Sequence, residues 1–284
     1  MIRFSGHWRT ASSLALGGAL AALSALGPAL ANESLSNADI FLDIRTDNAA
    51  IETLTSFGFD NFNQGTHVSD WGFMLDGVSA TFQNNTTSGG GLPFGVLSNS
   101  GGIISGSASY TYGAYAITVT RQYQIVGAGS VLVTTTIQNT GQSIGSFLGY
   151  DTFDPDIGIA RAGPFSTYND VFTDSGILIG LASDTVTTGY SVALGVTDPR
   201  AVVAAGFPFQ INSPPSLTGV ATSAFDGNGG LADQGLHIVF SAPLATGAGT
   251  TFQYFLNFGT SPAGALSALQ SAMTSVCPTS VAAD

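Results

Sequence analysis

Between Ala116 and Gln138 the chain alternates with a period of two over two consecutive runs. In the first, Ile117, Val119, Arg121, Tyr123 and Ile125 share one face and Thr118, Thr120, Gln122 and Gln124 the other. In the second, Val131, Val133, Thr135 and Ile137 alternate with Leu132, Thr134, Thr136 and Gln138. A period of two is the side-chain repeat of a β-strand, and in a helix it would scatter the apolar residues around the axis. Gly127-Ala128-Gly129-Ser130 between the runs supplies a hairpin connection, and Asn139-Thr140-Gly141 a second turn. The middle of the chain is thereby committed to a tight meander.

Further alternating or continuously apolar runs occur at 107–115, 177–182, 190–196, 201–206, 236–241 and 250–258, separated by Gly, Pro, Asn and Asp. Many short strands at this spacing predict an all-β fold, a large antiparallel β-sandwich. One helix is expected at the end: Ser261 caps it, Pro262 suits its first position, and Leu266, Leu269, Met273 and Val276 recur near helical spacing. It is expected to pack against the sheet edge or the sandwich mouth. No repeat or shift of composition divides the chain, so residues 32–284 are read as a single domain, large enough to bury its own core. Cys277 is the sole cysteine. An intrachain disulfide is therefore excluded.

Arg3 and Arg9 precede an apolar run from Leu14 to Leu26, followed by Pro28 and Ala29-Leu30-Ala31. This is the pattern of a signal peptide, so residues 1–31 are read as removed on export to the periplasm, cell surface or medium. No other segment approaches the length of a membrane span. With Arg3 and Arg9 removed, four of the six arginines remain against 18 carboxylates, a net charge of −14, and there is no lysine. Such a surface repels nucleic acid and anionic lipid and attracts cations.

Candidate sites follow from local composition. Asp151, Asp154 and Asp156 lie within six residues around Pro155, and clustered carboxylates on a turn suit Ca²⁺, a hard cation that takes oxygen ligands. Asp226, Asn228 and Asp233 form a second, glycine-rich candidate that lacks the terminal Glu of an EF-hand. The same residues also suit plain turns. His67, Asp70 and Trp71 combine hydrogen-bonding and stacking side chains, a mixture that suits sugar recognition. Gly141-Gln142-Ser143-Ile144-Gly145 matches the spacing of a nucleophile elbow, and Ser143 with His237 are the weak catalytic candidates. An elbow needs a helix after the serine, however, and here the chain continues as strand.

Thr120-Arg121-Gln122-Tyr123, Thr136-Ile137-Gln138-Asn139-Thr140-Gly141 and Phe153-Asp154-Pro155-Asp156 resemble segments of exported bacterial β-sandwich proteins of the large two-sheet kind, including sugar mutarotase-like domains. The resemblance spans residues 119–158 and implies a two-sheet sandwich with His and Glu catalysts in a sheet groove. After residue 31 the only glutamates are Glu33 and Glu52, so those catalysts are not carried over. The expectation is an exported, non-catalytic binding or matrix protein, calcium-stabilised and carbohydrate-binding, with polysaccharide or cell-surface partners. An extracellular hydrolase or carbohydrate-active enzyme, and a self-assembling surface protein, are the alternatives.

Overall fold

The computed structural model describes residues 32–61, 69–82, 92–155, 157, 166–206 and 231–276, with 78–82 described by their backbone. The expected signal peptide and Cys277 lie outside them. Strands β1 (Glu33–Ser36), β2 (Ile40–Ile44), β3 (Ile51–Ser56) and β4 (Phe59–Asp60) form a small antiparallel sheet in chain order. They are followed by β5 (Ser69–Leu75), β6 (Val78–Phe82), β7 (Ser98–Ser100), β8 (Ile103–Tyr112), β9 (Tyr115–Ile125), β10 (Ser130–Asn139) and β11 (Ile144–Phe153). Next come β12 (Thr167–Asp174), β13 (Ile177–Ser183), β14 (Ser191–Val196), β15 (Ala201–Gly206), β16 (Leu231–Ala232), β17 (Gly235–Leu244) and β18 (Gly249–Gly259), then the helix α1 (Pro262–Val276).

Two large sheets face one another. One has nine strands in the order β16-β12-β13-β14-β18-β10-β9-β8-β7, the other five in the order β15-β17-β11-β5-β6. All pairings are antiparallel, as an all-β sandwich requires. The predicted meander is β8-β9-β10, with the expected inner face of Ile117, Val119, Arg121 and Tyr123 buried. Across the gap, Phe147 of the smaller sheet stacks on Phe252 at 6.1 Å, and Phe240 on Phe252 at 4.7 Å. Each such ring contributes about 1.5–3 kcal/mol by leaving water.

The sequence reading named no strand before Ser107, whereas seven strands precede Ile103. Their runs are two to seven residues long, of mixed polarity and separated by residues such as Asp39, Asp47 and Asn48, so neither a sustained alternation nor a continuous apolar run emerges. The four-stranded sheet adds Ile40, Leu42, Ile44 and Leu54 to the shared core.

The helix differs from expectation in its seat. It lies on the outer face of the nine-stranded sheet rather than at an edge or mouth, with Leu269, Ala265 and Ala272 buried against Leu132, Ile179, Ala193 and Phe255. Strands β13 and β14 are apolar on both faces and therefore need a cover on each side. Ser261 caps the helix as predicted, its Oγ accepting from the Gly264 amide at 3.1 Å. Gly195 makes the close approach possible, since a Cβ there would fall 2.4 Å from a Leu269 methyl. Leu269→Ala is expected to cost about 2–5 kcal/mol of unfolding free energy. The exposed neighbour change Gln270→Ala should stay within about 0.5 kcal/mol. Urea denaturation midpoints of the two variants check the docking.

Candidate functional site

Strand alternation sorts the polar residues of the five-stranded sheet into two sets. The inner set surrounds Arg121, which β9 carries in the middle of its apolar face. Its Nη2 donates to Asp151 Oδ1 at 2.7 Å and its Nη1 to Asp151 Oδ2 at 3.4 Å, joining the two sheets through an ion pair. Nε donates to the Tyr123 hydroxyl at 2.9 Å, which donates in turn to the Ala49 carbonyl. The guanidinium stands 4.8 Å from the centroid of Trp71, whose Nε1 donates to the Asn48 carbonyl at 2.8 Å. Burial works against charge on Arg121, but facing Asp151 more than offsets it and the guanidinium is held protonated. Burial raises the Asp151 carboxyl and Arg121 draws it back. Beside the pair lies a cavity of about 20 Å³ bordered by Thr135, Phe240 and Tyr254. It has room for about one water.

The outer set is a row across the opposite face. Thr152 on β11 is paired with Asp70 on β5 and with His237 on β17, and His237 with Ala204 on β15. Directly paired residues share a sheet face with Cβ atoms about 4.5–5.5 Å apart. All four are buried. His237 Nε2 lies 3.3 Å from the Gly206 carbonyl, while its Nδ1 and the Thr152 hydroxyl have no hydrogen-bond partner. Burial lowers the His237 imidazole to about 4, so it is neutral near pH 7. Beyond the end of β11, buried Asp154 is raised to about 7 by burial and by the facing charge of Asp233.

These positions revise several expectations. Asp151 and Asp154 do not act together, because Asp151 points between the sheets to Arg121 and Asp154 lies at the strand end with Asp233. Among the described residues no group of three or more His, Cys, Asp or Glu side chains is placed to hold a metal ion. Trp71 is not a platform for a sugar, because its ring turns between the sheets and its faces are taken up by Arg121 at 4.8 Å and Phe94 at 5.7 Å. Alternation turns its neighbour Asp70 to the other face. Ser143 and His237 cannot form a triad. Ser143 precedes β11 and bonds to Thr246 at 3.4 Å, whereas His237 pairs with Thr152 near the far end of that strand, about 25–30 Å away. β11 follows Ser143 directly, so Gly141 lies in the turn before the strand and Gly145 at the bulge within it. His67, Asp156, Asp226 and Asn228 lie outside the described residues. Sequence reasoning passed over Arg121 and Thr152, although a charged residue amid Ile117, Val119 and Tyr123 was itself the signal of an inner ion pair.

No protein-family model matches the chain, and no curated protein matches it in sequence. In structure it is similar to a putative aldose 1-epimerase from Escherichia coli K12 at 12% identity and TM-score 0.45, over 80% of this chain and 98% of that one. It is also similar to a galactose mutarotase-like protein from Lactobacillus casei ATCC 334, at 9% identity and TM-score 0.47, over 80% of this chain and all of that one. A 4-alpha-glucanotransferase from Thermococcus litoralis aligns over 80% of this chain and 37% of its own, at 9% identity and TM-score 0.45. Mutarotase-like proteins are thus among the similar structures, and at these identities none assigns a role to a residue here. Among the described residues no helix is long and apolar enough to cross a membrane.

Asp154 and His237 impose opposite pH dependences. Asp154 has a folded value near 7, above the roughly 3.9 of an unfolded Asp, so folding takes up a proton between them and stability falls as pH rises through that window. His237 has a folded value near 4, below the roughly 6.5 of an unfolded His, so its contribution is lost as pH falls from about 6.5 to 4. Asp154→Asn should therefore raise the Tm over wild type by an amount that grows from pH 4 to 7 and then levels. Thermal melts across pH 4–8 check this; a pH-independent difference contradicts the assignment.

Proposed function

We propose that the chain is an exported protein that binds carbohydrate without transforming it, through the outer row of the five-stranded sheet. The observation that carries this reading is the pair of unpartnered atoms, Thr152 Oγ1 and His237 Nδ1, beside Asp70. A buried polar atom without a partner costs about 1–3 kcal/mol. Sugar hydroxyls, which both donate and accept, would satisfy a threonine hydroxyl and a neutral imidazole together. Isothermal titration with a panel of neutral mono- and disaccharides tests the reading. The expected result is binding that Thr152→Val and His237→Leu each weaken at least tenfold, about 1.4 kcal/mol. Absence of binding across the panel, or binding unchanged in both variants, contradicts it.

Calcium belongs to the same proposal, held by Asp154 and Asp233, since Asp151, the third described member of the expected set, is committed to Arg121. Millimolar CaCl₂ at pH 7.5 is expected to raise the Tm, and Asp154→Asn to remove that rise. No response to calcium removes the metal from the account.

A hydrolytic reading has one observation in its favour. Burial and the neighbouring Asp233 push the Asp154 carboxyl up to about 7, where a carboxyl can donate a proton near neutral pH as a general acid does. Release of reducing sugar by wild type, lost in Asp154→Asn, would replace binding with catalysis.

A further inference from the structure

The nine-stranded sheet has an outer face of two unlike halves. The half formed by β13 and β14 and the adjoining residues Leu132 and Phe255 is apolar and covered by α1. The other half, on β8, β9, β10 and β18, is polar, uncharged, and exposed or half-buried. Its register places Thr251, Thr136, Thr120 and Ser107 side by side in one row across four strands. A parallel row holds Gln253, Thr134, Gln122 and Ser105. Neither row contains a charge or an aromatic ring, on a chain whose residues 32–284 carry net −14.

The hydroxyls are fixed by one another. Ser107 and Thr120 lie 2.6 Å apart, Thr136 and Thr251 3.0 Å, and Gln253 Nε2 donates to Thr134 Oγ1 at 3.0 Å. Each hydroxyl has one donor and two acceptor sites. A hydroxyl couple that shares one bond therefore keeps one donor and three acceptor sites for a partner. The side chains are ordered in advance, which lowers the entropy lost on binding.

We infer that this face is a second binding surface, for one extended chain of a neutral polysaccharide laid along the row Thr251-Thr136-Thr120-Ser107. Three observations select the occupant. The absence of charge on the face excludes a partner held by ion pairs, and the chain's negative charge repels an anionic polymer. The two rows span about 15 Å by 7 Å, from strand spacings of about 4.8 Å and residue rises of about 3.4 Å. The rows offer no aromatic or aliphatic side chain for the apolar centre of a stable protein interface, which disfavours a second copy. A polymer of hydroxyls that donate and accept matches a row that does the same.

The ligand class rests on the carbohydrate reading above, but the surface lies on the other sheet, so the two fail separately. The test is native electrophoresis of the purified chain through gels containing hydroxyethyl cellulose. Wild type and the double variant Thr120→Ser/Thr136→Ser, which keeps both hydroxyls, should be retarded. Thr120→Val/Thr136→Val, which keeps the shape and strand preference, should lose at least fivefold in affinity at an unchanged Tm. Thr152→Val should be retarded like wild type, whatever it does to small sugars. The inference is overturned if wild type is not retarded or if the valine variant is retarded equally. It is also overturned if size exclusion shows a wild-type dimer that the valine variant abolishes, since the occupant is then a second copy. Should the valine variant fail to fold, loss of retardation in the single variant Thr136→Val carries the same decision.

Discussion

The ion pair of Arg121 with Asp151 is the constraint around which the sandwich is arranged. Among the described residues it is the buried ion pair that joins the two large sheets, adding charge to their apolar packing. Both side chains are nearly inaccessible, at 3% and 8% exposure, so each depends on the other for the solvation it has lost. The four-stranded sheet is tied to the same place, because the carbonyls of Asn48 and Ala49 receive the Trp71 and Tyr123 donors that flank the guanidinium. A buried pair of this kind contributes little net stability over an apolar substitute, yet losing one member leaves a stranded charge. Its consequence is registry: Arg121 meets Asp151 only when β9 and β11 sit at one offset across the gap.

That registry determines which residues reach the outer face. With Asp151 and Trp71 turned inward, Thr152 and Asp70 must turn outward, and antiparallel pairing brings His237 beside Thr152. The candidate site is therefore a by-product of the same alternation that builds the core. Placing polar atoms in a buried row has a cost, visible in the unpartnered Thr152 hydroxyl and His237 Nδ1 and in the lowered His237 imidazole. Two unpartnered atoms on directly paired residues, Thr152 and His237, mark the row out, whereas the described arginines Arg45 and Arg200 are paired nearer the surface.

The architecture was legible wherever runs were long. Alternation over 116–138 and 250–258 named strands, faces and the hairpin between β9 and β10 within a residue or two. The short strands of 33–60 were not legible, since two to six residues of mixed polarity show neither a sustained alternation nor the continuous apolar run that marks 201–206. The site was legible only in its ingredients. Asp70, Asp154, Asp233 and His237 were singled out by residue type, but their grouping depends on which strands are neighbours, and β5, β11 and β17 are far apart in sequence. Trp71 was misread for a related reason. Beside Asp70 in a polar stretch it looked like a surface ring, and only the register of β5 turns it toward Arg121.

A double-mutant cycle on Arg121→Met and Asp151→Leu, read by urea denaturation, tests this account most directly. Each single variant should lose about 3–5 kcal/mol, and the double variant should recover most of that loss because neither charge is left alone. Single variants within about 0.5 kcal/mol of wild type, or losses that simply add, would contradict the claim that this pair holds the two sheets in register.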